Sequence, residues 1–161
     1  MIYRNGGKRL LDLSLGLCAL ALFALPILLA VLAVKLSSPG PAFFFQTRVG
    51  RKGQAFRIYK LRTMTVDPTR RGTVQVGEND PGVFAAGRFL RRFKIDEMPQ
   101  IFNVVRGDMS FVGPRPCLEE TRNEMPDWAR RRFEVRPGIT GLAQTKGNVA
   151  LSWEKRWEQD I

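Results

Sequence analysis

An apolar run near the N-terminus constrains the fold more than any other feature of this sequence. It covers residues 13–34, reads LSLGLCALALFALPILLAVLAV and contains no charged residue. Its length reaches the roughly 20 residues that a membrane helix needs. A secretory signal peptide has a shorter apolar core of about 7–15 residues and then a small-residue cleavage site, whereas this run leads into Lys35 and a proline-rich turn. The sequence therefore predicts a helical membrane anchor.

Pro26 lies in the middle of this run. A proline inside a helix removes a backbone hydrogen bond and clashes with the preceding turn, so we predict a kink at this point. Two arrangements fit a kinked apolar helix: a bent helix that spans the membrane, and a re-entrant helix that leaves by the face it entered. Positive charge cannot orient the segment, because basic residues flank both of its ends: Arg4, Lys8 and Arg9 before it, and Lys35, Arg48, Arg51 and Lys52 after it.

Charge and composition narrow the chemistry of the rest of the chain. Lys and Arg number 26 against 15 Asp and Glu, a formal charge of +11, which indicates anionic partners such as nucleic acid, acidic lipids or phosphorylated substrates. No histidine is present, which excludes Ser-His-Asp and Cys-His catalysis and any histidine-ligated metal. Cys18 and Cys117 are too far apart in sequence to suggest a disulfide framework or a zinc cluster. Carboxylates are the strongest remaining candidates for catalysis.

The region after the apolar run has the character of a small mixed domain. Residues 43–49 and 54–61 flank a Gly-Arg-Lys-Gly turn, a pattern that predicts a β-hairpin. Residues 67–81 are polar and rich in turn formers, and we predict a loop there. The proline-rich turn at 37–41 marks the boundary. We therefore predict a membrane anchor at 1–36 and an α+β catalytic domain at 37–161.

Two segments of the catalytic domain have the pattern of amphipathic helices at a membrane interface. Residues 83–93 repeat apolar side chains at helical spacing beside several arginines, which suits an anionic membrane surface. Ser152 is a favourable N-cap for a last helix that carries Trp153, Trp157 and Ile161. Both helices are predicted to contact anionic lipids.

An acidic pair precedes a proline in the string RRFKIDEMPQIFNV. Because proline is tolerated only in the first turn of a helix, Asp96 is predicted to lie at or near a helix N-terminus. An N-cap role for Asp96 and a first-turn role for Glu97 would explain the pair structurally, since the helix dipole favours acids there. A catalytic dyad is the alternative, and the local sequence does not choose between them. A further unusual feature is Arg115, which stands between Pro114 and Pro116.

Four strings together give a specific resemblance that covers nearly the whole chain. The strings are KRLLDL, SSPGPAFFFQTRVGRKGQAFRIYKLRTM, IDEMPQIFNVVRGDMSFVGPRP and RPGITGLAQTKG. With them the sequence resembles the bacterial sugar transferase family, the monotopic phosphoglycosyl transferases, in its minimal catalytic form.

The resemblance implies transfer of a sugar 1-phosphate from a nucleotide sugar, usually a UDP-sugar, to undecaprenyl phosphate. UMP would be released through a two-step covalent route that requires Mg²⁺, as the first membrane step of glycan assembly. The resemblance also implies a re-entrant helix broken at Pro26 and a catalytic domain on the cytoplasmic face of the bacterial inner membrane. Leu25 occupies the position where the family often has serine.

Site residues follow from the same resemblance. Asp96 would be the nucleophile, and Glu97 would help it to hold Mg²⁺ or to transfer a proton. A carboxylate is a competent nucleophile without histidine, and Mg²⁺ with its preference for oxygen ligands would bridge the carboxylates and the phosphates. The predicted substrate-binding residues are Lys60, Arg62, Arg88, Pro114, Arg115, Pro116 and Arg136, and Asp160 aligns with an acidic position near the end of the family's catalytic domain.

Several of these residues have plain structural alternatives. Arg88 is also suited to solvating a helix face, and Arg136 to pairing with Glu134 or Glu124. The run 130–132, three consecutive arginines, is predicted to contact acidic lipids. Two rival functions are a Mg²⁺-dependent nucleotide-sugar hydrolase that uses the same carboxylates and a membrane-tethered nucleic-acid binder. The second rival lacks a recognised nucleic-acid motif, so no nucleic-acid partner is expected.

Overall fold

The computed structural model describes residues 6–66, 80–147 and 150–161, and most of the loop predicted at 67–81 lies outside this part of the chain. Its elements mix helix and strand, as predicted. The α-helices are α1 (Lys8–Ser37), α2 (Ala85–Arg92), α3 (Gln100–Arg106), α4 (Glu119–Asn123), α5 (Leu142–Thr145) and α6 (Trp153–Gln159). The strands are β1 (Phe43–Val49), β2 (Ala55–Leu61), β3 (Ser110–Val112) and β4 (Gly138–Thr140), with 3-10 helices at Arg51–Gly53, Ile95–Glu97 and Asp127–Glu134.

The long helix α1 contains the apolar run and continues past Pro26. At 1.5 Å per residue, its 30 residues correspond to about 45 Å, which exceeds the roughly 30 Å thickness of a bilayer's hydrocarbon core. By length and composition it is able to cross a membrane. Leucines along much of its length are exposed, among them Leu17, Leu22, Leu25 and Leu29. The kink and the re-entrant course stay predictions.

The chain folds into two compact units. The unit that contains both termini, here called the terminal unit, comprises Met1–Ala19, Gln46–Ile58 and Gln100–Ile161. The central unit comprises Leu20–Phe45 and Tyr59–Pro99. The predicted hairpin is confirmed, since β1 and β2 pair in a two-stranded sheet around the 3-10 turn.

The core of the central unit joins the second half of α1 to β2 and α2. Ala30 and Val34, one helical turn apart on α1, pack with Ala42, Leu61 and Leu90. All five side chains are buried. This apolar contact holds the second half of α1 against β2 and α2.

The terminal unit is built around the parallel pair β3 and β4. Ser110 aligns with Gly138 and Val112 with Thr140, so the string GDMSFVGPRP lies directly beside the string RPGITG. A Cβ at Gly113 or Gly138 would collide with the backbone of the opposite segment, which explains the glycines. Two apolar clusters flank this pair: Ile58, Val104 and Met109 form one, and Val49, Cys117, Met125 and Ala129 form the other.

Polar contacts hold the first turns of α1 in the terminal unit. Arg9 donates from Nη1 and Nη2 to the carbonyl oxygens of Val104 and Val105, at 2.5 and 2.6 Å. The buried Asp12 accepts from Lys8 Nζ at 3.2 Å and from Ser110 Oγ at 3.1 Å. These contacts hold the first turns of α1 against α3 and β3.

Candidate active site

The acidic pair lies in the 3-10 turn Ile95–Glu97, just before α3. Lys94 adopts a left-handed conformation with φ of 57°, which separates this turn from α2. Pro99 immediately precedes Gln100, the first residue of α3. The predicted position of Asp96 near a helix N-terminus is confirmed. The short turn and the proline fix its backbone on both sides.

Asp96 is buried in an unusual way for a carboxylate. Only 8% of the residue is exposed, and Oδ1 has no hydrogen-bond partner among the described residues. An N-cap oxygen would accept a backbone N–H, and this oxygen accepts none. A buried acceptor without a partner costs about 1–3 kcal/mol, so its retention points to a role that a plain cap does not explain.

Opposing electrostatic effects act on the pKa of Asp96. Burial, followed by the neighbouring Glu97, raises the pKa of Asp96, while Lys60, Lys94 and Arg91 act to lower it. Lys60 Nζ donates to Glu97 Oε1 at 2.7 Å. The two adjacent carboxylates therefore differ in environment: Glu97 has a cationic partner, and Asp96 has a buried oxygen that accepts no hydrogen bond from the described residues.

This arrangement fits a hard divalent cation that is shared with a substrate. Among residues 6–66, 80–147 and 150–161 there is no cluster of three or more His, Cys, Asp or Glu side chains. Mg²⁺ binds through one or two carboxylates together with phosphates and waters more often than in a cage made only of protein ligands. The unpartnered Oδ1 of Asp96 and the carboxylate of the adjacent Glu97 are the oxygen donors that such an ion would use.

Lys60 is the predicted cation that meets the acidic pair within the central unit, whereas Arg62 is engaged elsewhere. Arg62 is buried and donates from Nε to Pro41 O at 2.6 Å and from Nη2 to Ser38 O at 2.7 Å. Its Nη1 donates to Ser38 Oγ at 2.9 Å. These bonds give Arg62 a structural role just after the end of α1. Arg88 is exposed and donates to Val83 O at 3.2 Å.

The remaining predicted residues lie in the terminal unit. Pro114 and Pro116 are buried, and Arg115 between them is half-buried. They line a shallow recess together with Val49, Gly50, Arg132, Phe133, Val135 and Pro137. Arg136 does not pair with either glutamate through Nε, which donates to Gly107 O at 2.8 Å.

The predicted lipid contact of the arginine run is wrong for Arg132. Its side chain is 5% exposed and forms an ion pair with Asp160 at 2.6 Å, whose own side chain is 4% exposed. Arg130 and Arg131 are exposed and pair with Asp127 and Glu134. The reason is helical phase. In a 3-10 helix, side chains three positions apart share a face, and Arg132 follows the fully buried Ala129 by three.

Comparison with known proteins decides the family. The profile of a family described as bacterial sugar transferase matches residues 3–161. The chain belongs to this family. The resemblance carried by the four strings is therefore confirmed, and the protein is a transferase.

Three relatives are similar to this sugar transferase, and two of them are named after an activity. It is 42% identical to the uncharacterized sugar transferase EpsL of Bacillus subtilis over 154 residues, 96% of this chain and 75% of that protein. It is 48% identical to the UDP-glucose:undecaprenyl-phosphate glucose-1-phosphate transferase of Caulobacter vibrioides over 144 residues, 87% of this chain and 54% of the relative. It is 40% identical to the UDP-N-acetylgalactosamine-undecaprenyl-phosphate N-acetylgalactosaminephosphotransferase of Aeromonas hydrophila over 141 residues, 85% of this chain and 33% of the relative.

Proposed function

We propose that this sugar transferase moves a sugar 1-phosphate from a UDP-sugar to undecaprenyl phosphate and releases UMP. The observation that carries the proposal is the buried, unpartnered Oδ1 of Asp96 beside the Lys60–Glu97 ion pair. The names of the Caulobacter and Aeromonas relatives support the two substrates. The sugar is left open, since those two names carry different sugars.

The mechanism uses Asp96 as a covalent nucleophile. Its carboxylate oxygen attacks the phosphorus that bears the sugar, an O–P bond forms, and the bond to the UMP oxygen breaks with its electron pair leaving on UMP. An oxygen of undecaprenyl phosphate then attacks the same phosphorus and returns the carboxylate to Asp96. Each step exchanges one O–P bond for another, so no histidine base is needed to generate the nucleophile.

Lys60, Glu97 and Arg115 have separate roles in the proposed mechanism. Lys60 holds Glu97 and supplies positive charge close to the site of phosphoryl transfer. Arg115, on its proline-braced turn, binds the nucleotide diphosphate. Asp96 and Glu97 would hold Mg²⁺, which supplies charge neutralisation for the diphosphate when it is bound.

We also propose that α1 is re-entrant, with the catalytic part on the cytoplasmic face of the bacterial inner membrane. The resemblance of the sequence to the family supports this course, because it implies a helix that breaks at Pro26. The exposed Phe89 and Phe93 on and after α2, beside basic residues, suit an anionic interface.

The test follows UMP release by the detergent-solubilised protein. Purified protein is incubated with Mg²⁺, undecaprenyl phosphate and a panel of UDP-sugars that includes UDP-glucose and UDP-N-acetylgalactosamine. We expect UMP and a lipid-linked diphosphate sugar with at least one donor, and loss of both in Asp96→Asn. Sugar phosphate released at an undiminished rate without the lipid would instead identify a hydrolase.

Mass spectrometry of the intact protein tests the covalent step separately. With a UDP-sugar and no lipid, the wild type is expected to gain the mass of one sugar phosphate, and Asp96→Asn is expected to gain none. Asp127→Asn, at an exposed aspartate, is the matched control and should form the adduct normally. An adduct at full yield in Asp96→Asn would move the nucleophile to another residue.

A further inference from the structure

We propose that Arg132 and Asp160 position the Pro114-Arg115-Pro116 turn, so that the Arg115 guanidinium is held where it meets the nucleotide diphosphate. This inference rests on the proposed function, because that function assigns Arg115 to the nucleotide. Arg132 and Asp160 act as positioning residues.

The turn has few hydrogen bonds of its own. Pro114 and Pro116 have no N–H to donate. On one side, Gly138 N donates to Pro114 O at 2.9 Å, and on the other, Val49 N donates to Cys117 O at 2.9 Å. Backbone bonds to β4 and β1 thus fix the two ends of the turn, and Arg115 lies between them.

A buried arginine bonds the carbonyl oxygen of Arg115. Arg132 Nη2 donates to the carbonyl oxygen of Arg115 at 2.7 Å and to Asp160 Oδ2 at 2.6 Å. The Arg132 and Asp160 side chains are 5% and 4% exposed. A charge-assisted bond shielded from water holds its donor in one orientation, so Asp160 aims Arg132 at the turn.

A contribution to folding stability does not by itself explain why Arg132 and Asp160 are buried as an ion pair. Two desolvated charges often contribute no more than an apolar pair of equal volume, and burial raises the pKa of Asp160 despite the neighbouring Arg132. What an apolar pair lacks is a donor for the Arg115 carbonyl. Asp160 is also the C-cap of α6, and Trp157 of α6 packs on the cluster of Val49 and Met125, so the docked last helix holds the pair in place.

A double-mutant cycle tests whether Arg132 acts through Arg115. The variants are Arg132→Lys, Arg115→Ala and the two combined, each measured for kcat and KM with a UDP-sugar and for melting temperature. Lysine keeps the charge but lacks the guanidinium fork. We expect Arg132→Lys to lower kcat/KM by about 10- to 100-fold, mainly through KM, as a misplaced binding group does. In the Arg115→Ala background, the same change should cost less than about twofold.

Arg122→Lys is the matched control. Arg122 and Arg132 lie over the same Phe133 ring, at 5.9 and 5.8 Å, but only Arg132 bonds the Arg115 carbonyl. Arg122→Lys should therefore keep kcat/KM within about twofold of wild type. An equal loss from both lysine variants would overturn the proposal. Losses from Arg132→Lys and Arg115→Ala that simply add would overturn it too, since they would make Arg132 a general stabiliser.

Two further measurements keep the outcome decisive. If Arg132→Lys does not fold, Asp160→Asn, which keeps the volume and removes the charge, replaces it in the same cycle. If the wild type binds a UDP-sugar but does not turn it over, the proposed transfer reaction is wrong. The positioning role of Arg132 is then still tested by the same double-mutant cycle, with UDP-sugar affinity measured by calorimetry. A wild type that neither binds nor turns over any UDP-sugar would overturn both proposals.

Discussion

Lys60 Nζ lies 2.7 Å from Glu97 Oε1, while Asp96, next to Glu97 in the chain, keeps a buried oxygen without a partner. The Glu97 carboxylate is therefore paired with a cation, whereas one oxygen of the Asp96 carboxylate accepts no hydrogen bond from the described residues. This difference in contacts distinguishes the environments of Asp96 and Glu97, which the local sequence does not. It also makes the site costly to maintain, because burial opposes the charge on Asp96.

Asp96→Asn should stabilise the protein at neutral pH while it abolishes transfer. The folded-state pKa of Asp96 is raised, so ionising it above its ordinary pKa costs folding free energy, and asparagine removes that cost. A gain of about 1 kcal/mol corresponds to a rise in melting temperature of roughly 2–4 °C for a chain of this length. Thermal unfolding in detergent measures this, with Asp127→Asn as the exposed control. A variant that melts below wild type at neutral pH would contradict the account.

The stability of the protein should also depend on pH, because ionisation of the buried Asp96 lowers stability. Relative to Asp96→Asn, the wild type should be at its most stable below the ordinary pKa of an aspartate, near 3.8, and should lose stability as pH rises through the raised value. Melting temperatures of the two proteins measured from about pH 4 to 8 give this difference. A difference that does not change with pH would mean that Asp96 has an ordinary pKa.

Lys60→Gln should move the acid limb of the activity profile to higher pH. In the proposed mechanism the ionised form of Asp96 is the nucleophile, and Lys60 is a positive charge that lowers the pKa of Asp96. Removing that charge raises the pKa further, so more base is needed to ionise Asp96. The measurement is kcat/KM against pH. Lys146→Gln, at an exposed lysine, should leave the limb in place.

Arg62→Lys should lower stability more than it lowers substrate affinity. The guanidinium bonds Ser38 and Pro41 just after the end of α1, and lysine cannot reach all of those acceptors. Each buried acceptor that loses its donor costs about 1–3 kcal/mol. Melting temperature and KM for the UDP-sugar measured together separate the two roles, with Arg57→Lys, at an exposed arginine, as the control. An unchanged melting temperature with a raised KM would restore Arg62 to the phosphate site.

Gly87→Ala should destabilise the central unit. A Cβ at Gly87 would collide with the backbone of Thr63, which has no freedom to rotate away. Overpacking of this kind costs about 1–3 kcal/mol. Gly16→Ala is the comparison, because its Cβ meets the side chain of Val105 at 2.9 Å, and a side chain can shift. Chemical denaturation of both variants should give the larger loss for Gly87→Ala.

Local patterns predicted the local elements well. The Gly-Arg-Lys-Gly turn predicted the hairpin of β1 and β2, and the spacing at 83–93 predicted α2. Ser152 caps α6 as expected, accepting from Lys155 N at 3.3 Å. These succeeded because turn chemistry, helical period and capping depend on residues only a few positions apart.

The sequence by itself determined the apolar helix, the hairpin of β1 and β2, the helices α2 and α6, the family and the position of the acidic pair before Pro99. Only the tertiary structure decided what each charged side chain contacts: Arg62 bonds the segment after α1, Arg132 pairs with Asp160, and Asp96 has a buried oxygen that accepts no hydrogen bond from the described residues. The physical reason is that the partners are far apart in sequence. Arginines have the same local signature whether they face water, lipid or a buried carboxylate, and only the packing of distant segments removes the water that would otherwise make them equivalent.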